Sequence, residues 1–256
     1  MRKVREFKRP ETLLDVESHY CAGCGHGLLH RILAELIDEL DLRSRVVGIA
    51  PVGCAVLAYN YLNIDMSEAA HGRVPSVATG IKRARPDLLV FAYQGDGDLA
   101  SIGTAEIIHA ANRGENYTTI FVNNAVYGMT GGQMAPTTLP GQHTATTPLG
   151  RDTAITGYPL RMCELINTLE NPWIIVRTAL DGPAGVRNTK KWIKEGLLAQ
   201  MEGKGFAFIE VLSACPTYWR MTPEESLQFL KNEMTRYFPT GVFRFGKKEA
   251  KECLSA

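Results

Sequence analysis

The sequence of 256 residues lacks an excess of charge of either sign: 28 Lys and Arg stand against 27 Asp and Glu, for a formal net charge of +1. A chain devoted to nucleic acid usually shows a basic excess, so nucleic-acid binding is not expected as the main activity. No apolar run approaches the roughly 18–20 residues that a membrane span requires. The basic start MRKVREFKRP is followed by ETLLDVESHY, without the apolar core of a signal peptide. A cytoplasmic protein with no membrane contact is therefore expected. Internal repeats, long Gly/Ser/Pro linkers and breaks in composition are also absent, which points to one domain over 1–256, with a core of about 18–220 and a C-terminal helix and tail at 221–256. Cysteine is scarce: six residues are too few to scaffold so long a chain with disulfides, and the cytoplasm would keep them reduced.

What is present is a strand–helix alternation. Near-continuous apolar runs lie at 45–50 (RVVGIA), 88–93 (LLVFAY), 118–122 (TTIFV), 173–178 (WIIVRT) and 206–212 (FAFIEVL). Runs of this kind, without polar alternation, mark strands buried on both faces. Helical patterns fall between and after them, at 27–40, 99–113, 188–202 and 223–237, the last opened by Thr222 as N-cap and Pro223 at the first helical position. The expected fold is α/β: a parallel sheet with helices on both faces. Ligands of such sheets sit at the carboxyl ends of the strands. The long Gly-, Pro- and Thr-containing segment 128–151 is a further candidate, since loops of that length in a domain are usually functional.

The run LLVFAY leads into Gln94-Gly95-Asp96-Gly97-Asp98 and then a helix. Glycines at a strand-to-helix turn let backbone approach a ligand, and the helix N-terminus favours an anion such as phosphate. Asp96 is placed to hold a divalent cation there. The run TTIFV ends in Asn123-Asn124-Ala125-Val126-Tyr127-Gly128, where an amide oxygen and a carbonyl could complete an oxygen-rich Mg²⁺ site. Each motif alone is common turn chemistry. Together, with Asp96 and Asn124 separated by 28 positions and each directly after a buried strand, they resemble the signature of thiamine-diphosphate-binding enzymes.

Cys21-Ala22-Gly23-Cys24-Gly25-His26-Gly27 places a CxxC just ahead of a helix. It is open to zinc, dithiol redox or iron–sulfur readings. No strand precedes it, unlike the usual thioredoxin-like dithiol. Cys54, after the first strand run, and Cys215, in Ser213-Ala214-Cys215-Pro216 after the last, reach the same sheet edge and could complete a set of four thiolates. Spacing does not separate zinc from a cluster. Cys163 reads as a small buried hydrophobe, and Cys253 as an idle residue of the charged tail.

In this order CxxCGH, the Gly-Cys after the first strand, His71-Gly72-Arg73, GDGD, NN-x-x-YGMTGGQ and Cys-Pro resemble the thiamine-diphosphate-binding β subunit of the 2-oxoacid:ferredoxin oxidoreductases, over roughly 18–220. The resemblance implies that Cys21, Cys24, Cys54 and Cys215 bind a [4Fe–4S] cluster. It implies that Asp96, Asn124 and the Val126 carbonyl hold Mg²⁺, and that Gly53, Gly95, Gly97, Asp98, Gly128, Met129 and Thr130 line the diphosphate and thiazolium, in a stretch that continues to Gln133. Thr130, His71 and Arg73 are candidates for catalytic contact. The implied reaction converts a 2-oxoacid and coenzyme A to acyl-CoA and CO₂, with electrons passing to ferredoxin. The glutamate that activates the cofactor is expected on an α subunit carrying the pyrimidine-binding half, alongside further small subunits.

The stretch 55–62 (AVLAYNYL) contains no Lys or Arg to pair a second carboxylate, and Met129 is also apolar. A branched-chain 2-oxoacid is favoured if these residues line the pocket, because an unpaired buried carboxylate is costly. 2-Oxoglutarate is the second choice. Two other classes remain open at this point: a non-redox thiamine-diphosphate decarboxylase subunit with a structural zinc, and a metal-stapled nucleotide-binding scaffold without catalysis.

Overall fold

A computed structural model describes residues 8–247. In chain order the elements are α1 (Gly25–Glu39), β1 (Val46–Ala50), β2 (Asp65–Glu68), α2 (Val74–Ala84), β3 (Leu89–Gly95), α3 (Thr104–Arg113), β4 (Thr118–Asn123), the short hairpin β5 (Val126–Tyr127) and β6 (Gln133–Met134), α4 (Thr153–Thr156), α5 (Met162–Asn167), β7 (Ile174–Ala179), α6 (Pro183–Met201), β8 (Ala207–Leu212), α7 (Pro216–Trp219), α8 (Pro223–Phe229), α9 (Thr235–Tyr237) and β9 (Gly241–Phe245). The main sheet runs β2-β1-β3-β4-β8-β7-β9, with β9 alone antiparallel. No described helix is long and apolar enough to cross a membrane.

The expected parallel sheet is thus present, and all five apolar runs are strands. β4, β7 and β8 are buried along their whole length, as strands covered on both faces must be. One covering layer is α1 and α6, whose Leu29, Leu33, Ile193 and Leu197 pack on Phe91, Ile120 and Ile209. The other is α2, α3 and α5, whose Val74, Ile107 and Ile166 pack on Val90, Phe121 and Ile175. A third cluster joins Leu230, Met234 and Phe238 to Ala125 and Trp219. The residues after 220 therefore pack on the site end of the sheet, and β9 extends the sheet itself.

Two elements depart from their expected form. The helix at 99–113 is interrupted: Asp98–Ile102 forms a π-turn, closed by Gly103 N–H donating to the Asp98 carbonyl, before α3 begins. The cause is close packing of the loop before α2. A Cβ on Gly103 would stand 2.7 Å from the Gly72 carbonyl oxygen, and one on Gly72 2.6 Å from the Gly103 nitrogen. Widened helical turns of this kind often mark functional sites. The helix at 223–237 is similarly broken by a π-turn at Leu230–Met234, although its start is as expected, with Thr222 and Glu225 forming a capping box.

Gly72 also has a left-handed φ of +77°, so any side chain there meets both strain and backbone. Gly72→Ala should lower stability by about 2–4 kcal/mol, read by urea unfolding. A loss below about 0.5 kcal/mol would show that the contact yields easily.

Candidate active site

Because the strands are parallel, the chain segments that follow β1, β3, β4 and β8 emerge at one edge. The first three, with His26 of α1 and His71 after β2, border an open cleft lined also by Val52 to Ala55, Gly95 to Asp98, Asn124 and Val126 to Thr130. Most candidate residues are gathered here.

Asp96 is the buried acid of the cleft. Its Oδ1 accepts from Gly97 N–H at 2.9 Å and its Oδ2 from the Thr137 hydroxyl at 2.7 Å. Burial pushes its carboxyl up to about 6, partly offset by these donors. Among the described residues no Lys or Arg lines the cleft, so none of them gives ionised Asp96 a counter-charge there. A buried carboxylate in this setting suits a divalent cation. Thr137 lies in coil outside any recognisable motif, and sequence reasoning did not find it.

The two asparagines have different tasks. Asn123 turns inward and donates through Nδ2 to Glu210 at 2.8 Å. Asn124 faces the cleft, and its Oδ1 accepts from Val126 N–H at 3.3 Å. Between Asn124 and Val126, Ala125 adopts a left-handed φ of +61°. Indole Nε1 of Trp219 donates to the Asn124 carbonyl at 3.0 Å. The second asparagine is thus the one available to a ligand.

Asp98 reaches the cleft lining but its carboxylate is engaged: Oδ1 accepts from His71 Nδ1 at 2.6 Å and Gly72 N–H at 2.8 Å, and Oδ2 from Gln94 Nε2 at 2.5 Å. His71 lines the cleft with its Nδ1 committed. Arg73 does not join them; it pairs with Glu106 and is not among the lining residues. Thr130 is exposed and donates to Gln133 Oε1 at 2.6 Å. Of the stretch 55–62, only Ala55 lines the cleft, while Tyr61 is taken up by His19.

The glycines form a cradle. A Cβ on Gly53 or Gly95 would enter open space beside the cleft, whereas one on Gly97 would strike the Tyr127 ring at 2.2 Å. A polyanionic cofactor has backbone to approach at both places.

The cysteines lie along the same edge. A Cβ on Gly128 would be 2.9 Å from Cys54 Sγ and 3.8 Å from Cys215 Sγ, so this loop lies directly against two of the sulphurs. Gly23, with φ of +80°, presses the CxxC loop onto Pro216 and Pro223, beside Cys215. Burial raises the Cys24 thiol and pushes Cys54 and Cys215 up to about 12, with the charges of Cys24 and Cys54 adding to the rise at Cys215. Cys21 is the exposed member, and Cys163 is buried in the core as expected. Cys253 lies outside the described residues. Among the described residues, no group of three or more His, Cys, Asp or Glu side chains is arranged to hold a single metal ion.

Behind these cysteines stand six rings, of which only His26 belongs to a motif noted in the sequence. His19 Nε2 donates to the Cys54 carbonyl at 3.0 Å, its Nδ1 is 2.5 Å from the Tyr61 hydroxyl, His26 Nδ1 is 2.7 Å from that of Tyr93, and His30 Nε2 is 3.2 Å from that of Tyr20.

The family model described as "Thiamine pyrophosphate enzyme, C-terminal TPP binding domain" matches residues 51–211, which include every cleft element except His26. The chain belongs to the thiamine pyrophosphate enzyme family. Thiamine diphosphate is the cofactor of this thiamine pyrophosphate domain, and the buried acid, cradle and cleft-facing asparagine suit it. Among curated proteins, the chain is 53% identical to ketoisovalerate oxidoreductase subunit VorA of Methanothermobacter thermautotrophicus, over 93% of this chain and 52% of that one. It therefore spans about half the length of that relative. It is 36% identical to 2-oxoglutarate synthase subunit KorB of Methanocaldococcus jannaschii, over 90% of this chain and 82% of the relative. A solved 2-oxoglutarate:ferredoxin oxidoreductase from Magnetococcus marinus superposes with a TM-score of 0.75 at 25% identity, covering 98% of this chain and 88% of that one.

The ring cluster has a measurable acid signature. Burial holds His26 at about 4 and His30 at about 3, against an ordinary 6.5. The folded chain leaves both neutral where the unfolded chain takes up protons. Their contribution to stability is thus complete above pH 6.5 and is lost as pH falls towards 4, at about 1.4 kcal/mol per pH unit for each. In the cofactor-free protein, His30→Phe should reduce the slope of unfolding free energy between pH 6 and 4.5 by about 1.4 kcal/mol per unit, measured in urea. An unchanged slope would place a proton on His30 in the folded state.

Proposed function

We propose that this chain is the thiamine-diphosphate-binding subunit of an oxidoreductase that converts a branched-chain 2-oxoacid and coenzyme A to acyl-CoA and CO₂, passing electrons through a [4Fe–4S] cluster to ferredoxin. The observation that carries this reading is Gly128, whose backbone joins the cation-binding turn at Asn124 to the sulphurs of Cys54 and Cys215. A decarboxylase has no use for thiols at that point; an enzyme that must remove electrons beside its cofactor does.

In this reading Asp96, Asn124 and the Val126 carbonyl hold Mg²⁺ on the diphosphate, and Cys21, Cys24, Cys54 and Cys215 hold the cluster. Bound thiamine diphosphate supplies the carbon nucleophile that attacks the 2-oxo group, and the cluster accepts electrons singly. Thr137 and Gly97 keep Asp96 in place for the cation. Asp98 fixes the ring of His71 through Nδ1, leaving Nε2 to accept a hydrogen bond or a proton from a ligand in the cleft. Val52, Ala55 and Met129 give the substrate end an apolar wall. The cysteines are assigned to a cluster rather than zinc because the proposed reaction must give up electrons singly, which a cluster accepts and zinc does not.

The cleft lining contains no glutamate, so activation of the cofactor falls to a partner subunit, and the chain alone should be inactive. The segment 141–160 is tied to the loop that continues from the cleft-lining Thr130, through Ala145 N–H donating to the Gly132 carbonyl. Arg151 pins it from inside by donating to the carbonyls of Pro136, Thr138 and Gly157. Its outer side presents Leu149, Ile155 and Tyr158, each more than 70% exposed. We assign this face to the partner that completes the site, within a cytoplasmic assembly that also includes smaller subunits.

A branched-chain substrate is supported by the ketoisovalerate relative and by the absence of Lys and Arg from the lining. A second carboxylate there would lack a counter-ion, at a cost of about 3 kcal/mol or more. The assembled enzyme should therefore favour 2-oxoisovalerate over 2-oxoglutarate at least ~100-fold in kcat/KM, followed by viologen reduction. A preference for 2-oxoglutarate would reverse the substrate assignment. Purified anaerobically with its partners, the protein should contain iron and thiamine, and Cys54→Ser should abolish the EPR signal of this subunit's cluster. Zinc without iron would return the cysteines to a structural role.

A further inference from the structure

Under the cation-binding turn lies a buried ionic group that does not line the cleft. Asn123 ends β4, while Arg177 and Glu210 stand opposite each other within β7 and β8, and all three are fully buried. Arg177 Nε donates to Glu210 Oε2 at 2.8 Å, and its remaining nitrogens donate to Glu164 at 2.5 and 3.0 Å and to the Pro239 carbonyl at 3.3 Å. The rings of Phe238 and Phe243 lie 5.3 and 5.1 Å from the guanidinium carbon. Arg177 therefore has no freedom to release Glu210. The other oxygen of Glu210 accepts from Asn123 Nδ2 at 2.8 Å.

The sign of that acceptor matters. A side-chain amide can present either end to a neutral partner, but only its NH₂ end to a carboxylate. Glu210 therefore dictates that Asn123 Oδ1 points back to the turn, where it accepts from Ala125 N–H at 3.2 Å. Ala125 is held there at φ of +61°, a conformation that disfavours any residue with a Cβ. The Thr138 hydroxyl, 2.6 Å from the Ala125 carbonyl, secures the other side. The left-handed residue separates Asn124 from Val126, the two groups assigned above to the cation.

We infer that Glu210, clamped by Arg177, is a positioning residue that sets the cation-binding turn by orienting Asn123, which in turn holds Ala125 left-handed. This rests on the assignment of Asp96, Asn124 and Val126 to Mg²⁺. The supporting groups of a metal site typically change its affinity by roughly 10–100-fold.

The test uses the assembled enzyme freed of cofactor, with Mg²⁺ and thiamine diphosphate titrated by calorimetry. Asn123→Ala should weaken cofactor binding by roughly 10–100-fold, and Glu210→Gln, which keeps the shape but loses the sign, should weaken it by about tenfold. Should Glu210→Gln fail to fold, Asn123→Ala carries the comparison, with the cofactor-free melting curve as the check on folding. The double variant Asn123→Ala/Ala125→Gly should regain most of the affinity, because glycine adopts the left-handed turn unaided. A merely structural role would lower the melting temperature without this rescue. Asp96→Asn is the reference for the metal assignment. If it loses binding while Asn123→Ala retains wild-type affinity, or if Ala125→Gly gives no rescue, the positioning role is overturned and the metal assignment remains. If Asp96→Asn also retains affinity, both fall together.

Discussion

Parallel pairing of β2, β1, β3, β4, β8 and β7 is the constraint on which the site depends. Residues as far apart in the chain as Cys54 and Cys215 can share an edge only because every strand delivers its carboxyl end to the same side. The same pairing requires each strand to return by a crossover, and those crossovers supply the two helical layers that bury the sheet. Stability and site geometry thus have one origin.

The electrostatics of the cleft follow a second rule. Its lining has Asp96, Asp98 and Cys54 but neither Lys nor Arg. A diphosphate cannot approach such a surface on its own charge, and glycine backbone and a helix end offer only partial dipoles. In the reading proposed above, a divalent cation held by Asp96 would reconcile the two by neutralising a carboxylate that burial has made hard to ionise. Asp98 escapes this conflict because three donors already satisfy it.

The central strands were legible in the sequence because burial on both faces leaves an unbroken apolar run, as in TTIFV. The edge strands were not: β2 (DMSE) and β9 (GVFRF) are largely exposed and have no such signature. Asp96 and Asn124 were legible because short turns after buried strands must carry their chemistry in adjacent residues. Thr137 was not, since it reaches Asp96 from a coil 41 positions away. Nor does sequence show that Arg73 pairs with Glu106 while its neighbour His71 meets Asp98. That choice depends on the tight Gly72–Gly103 crossing and the π-turn it imposes, which are tertiary facts without a local pattern.

The indole of Trp219 links the site to the C-terminal layer. Its N–H is committed to the carbonyl of Asn124, and its ring is edge-on to Phe229 in the layer formed by the C-terminal helices. A fluorophore is therefore hydrogen-bonded to the turn that the proposed reading gives to the cation. On that reading the indole would serve as a label-free optical gauge of the turn.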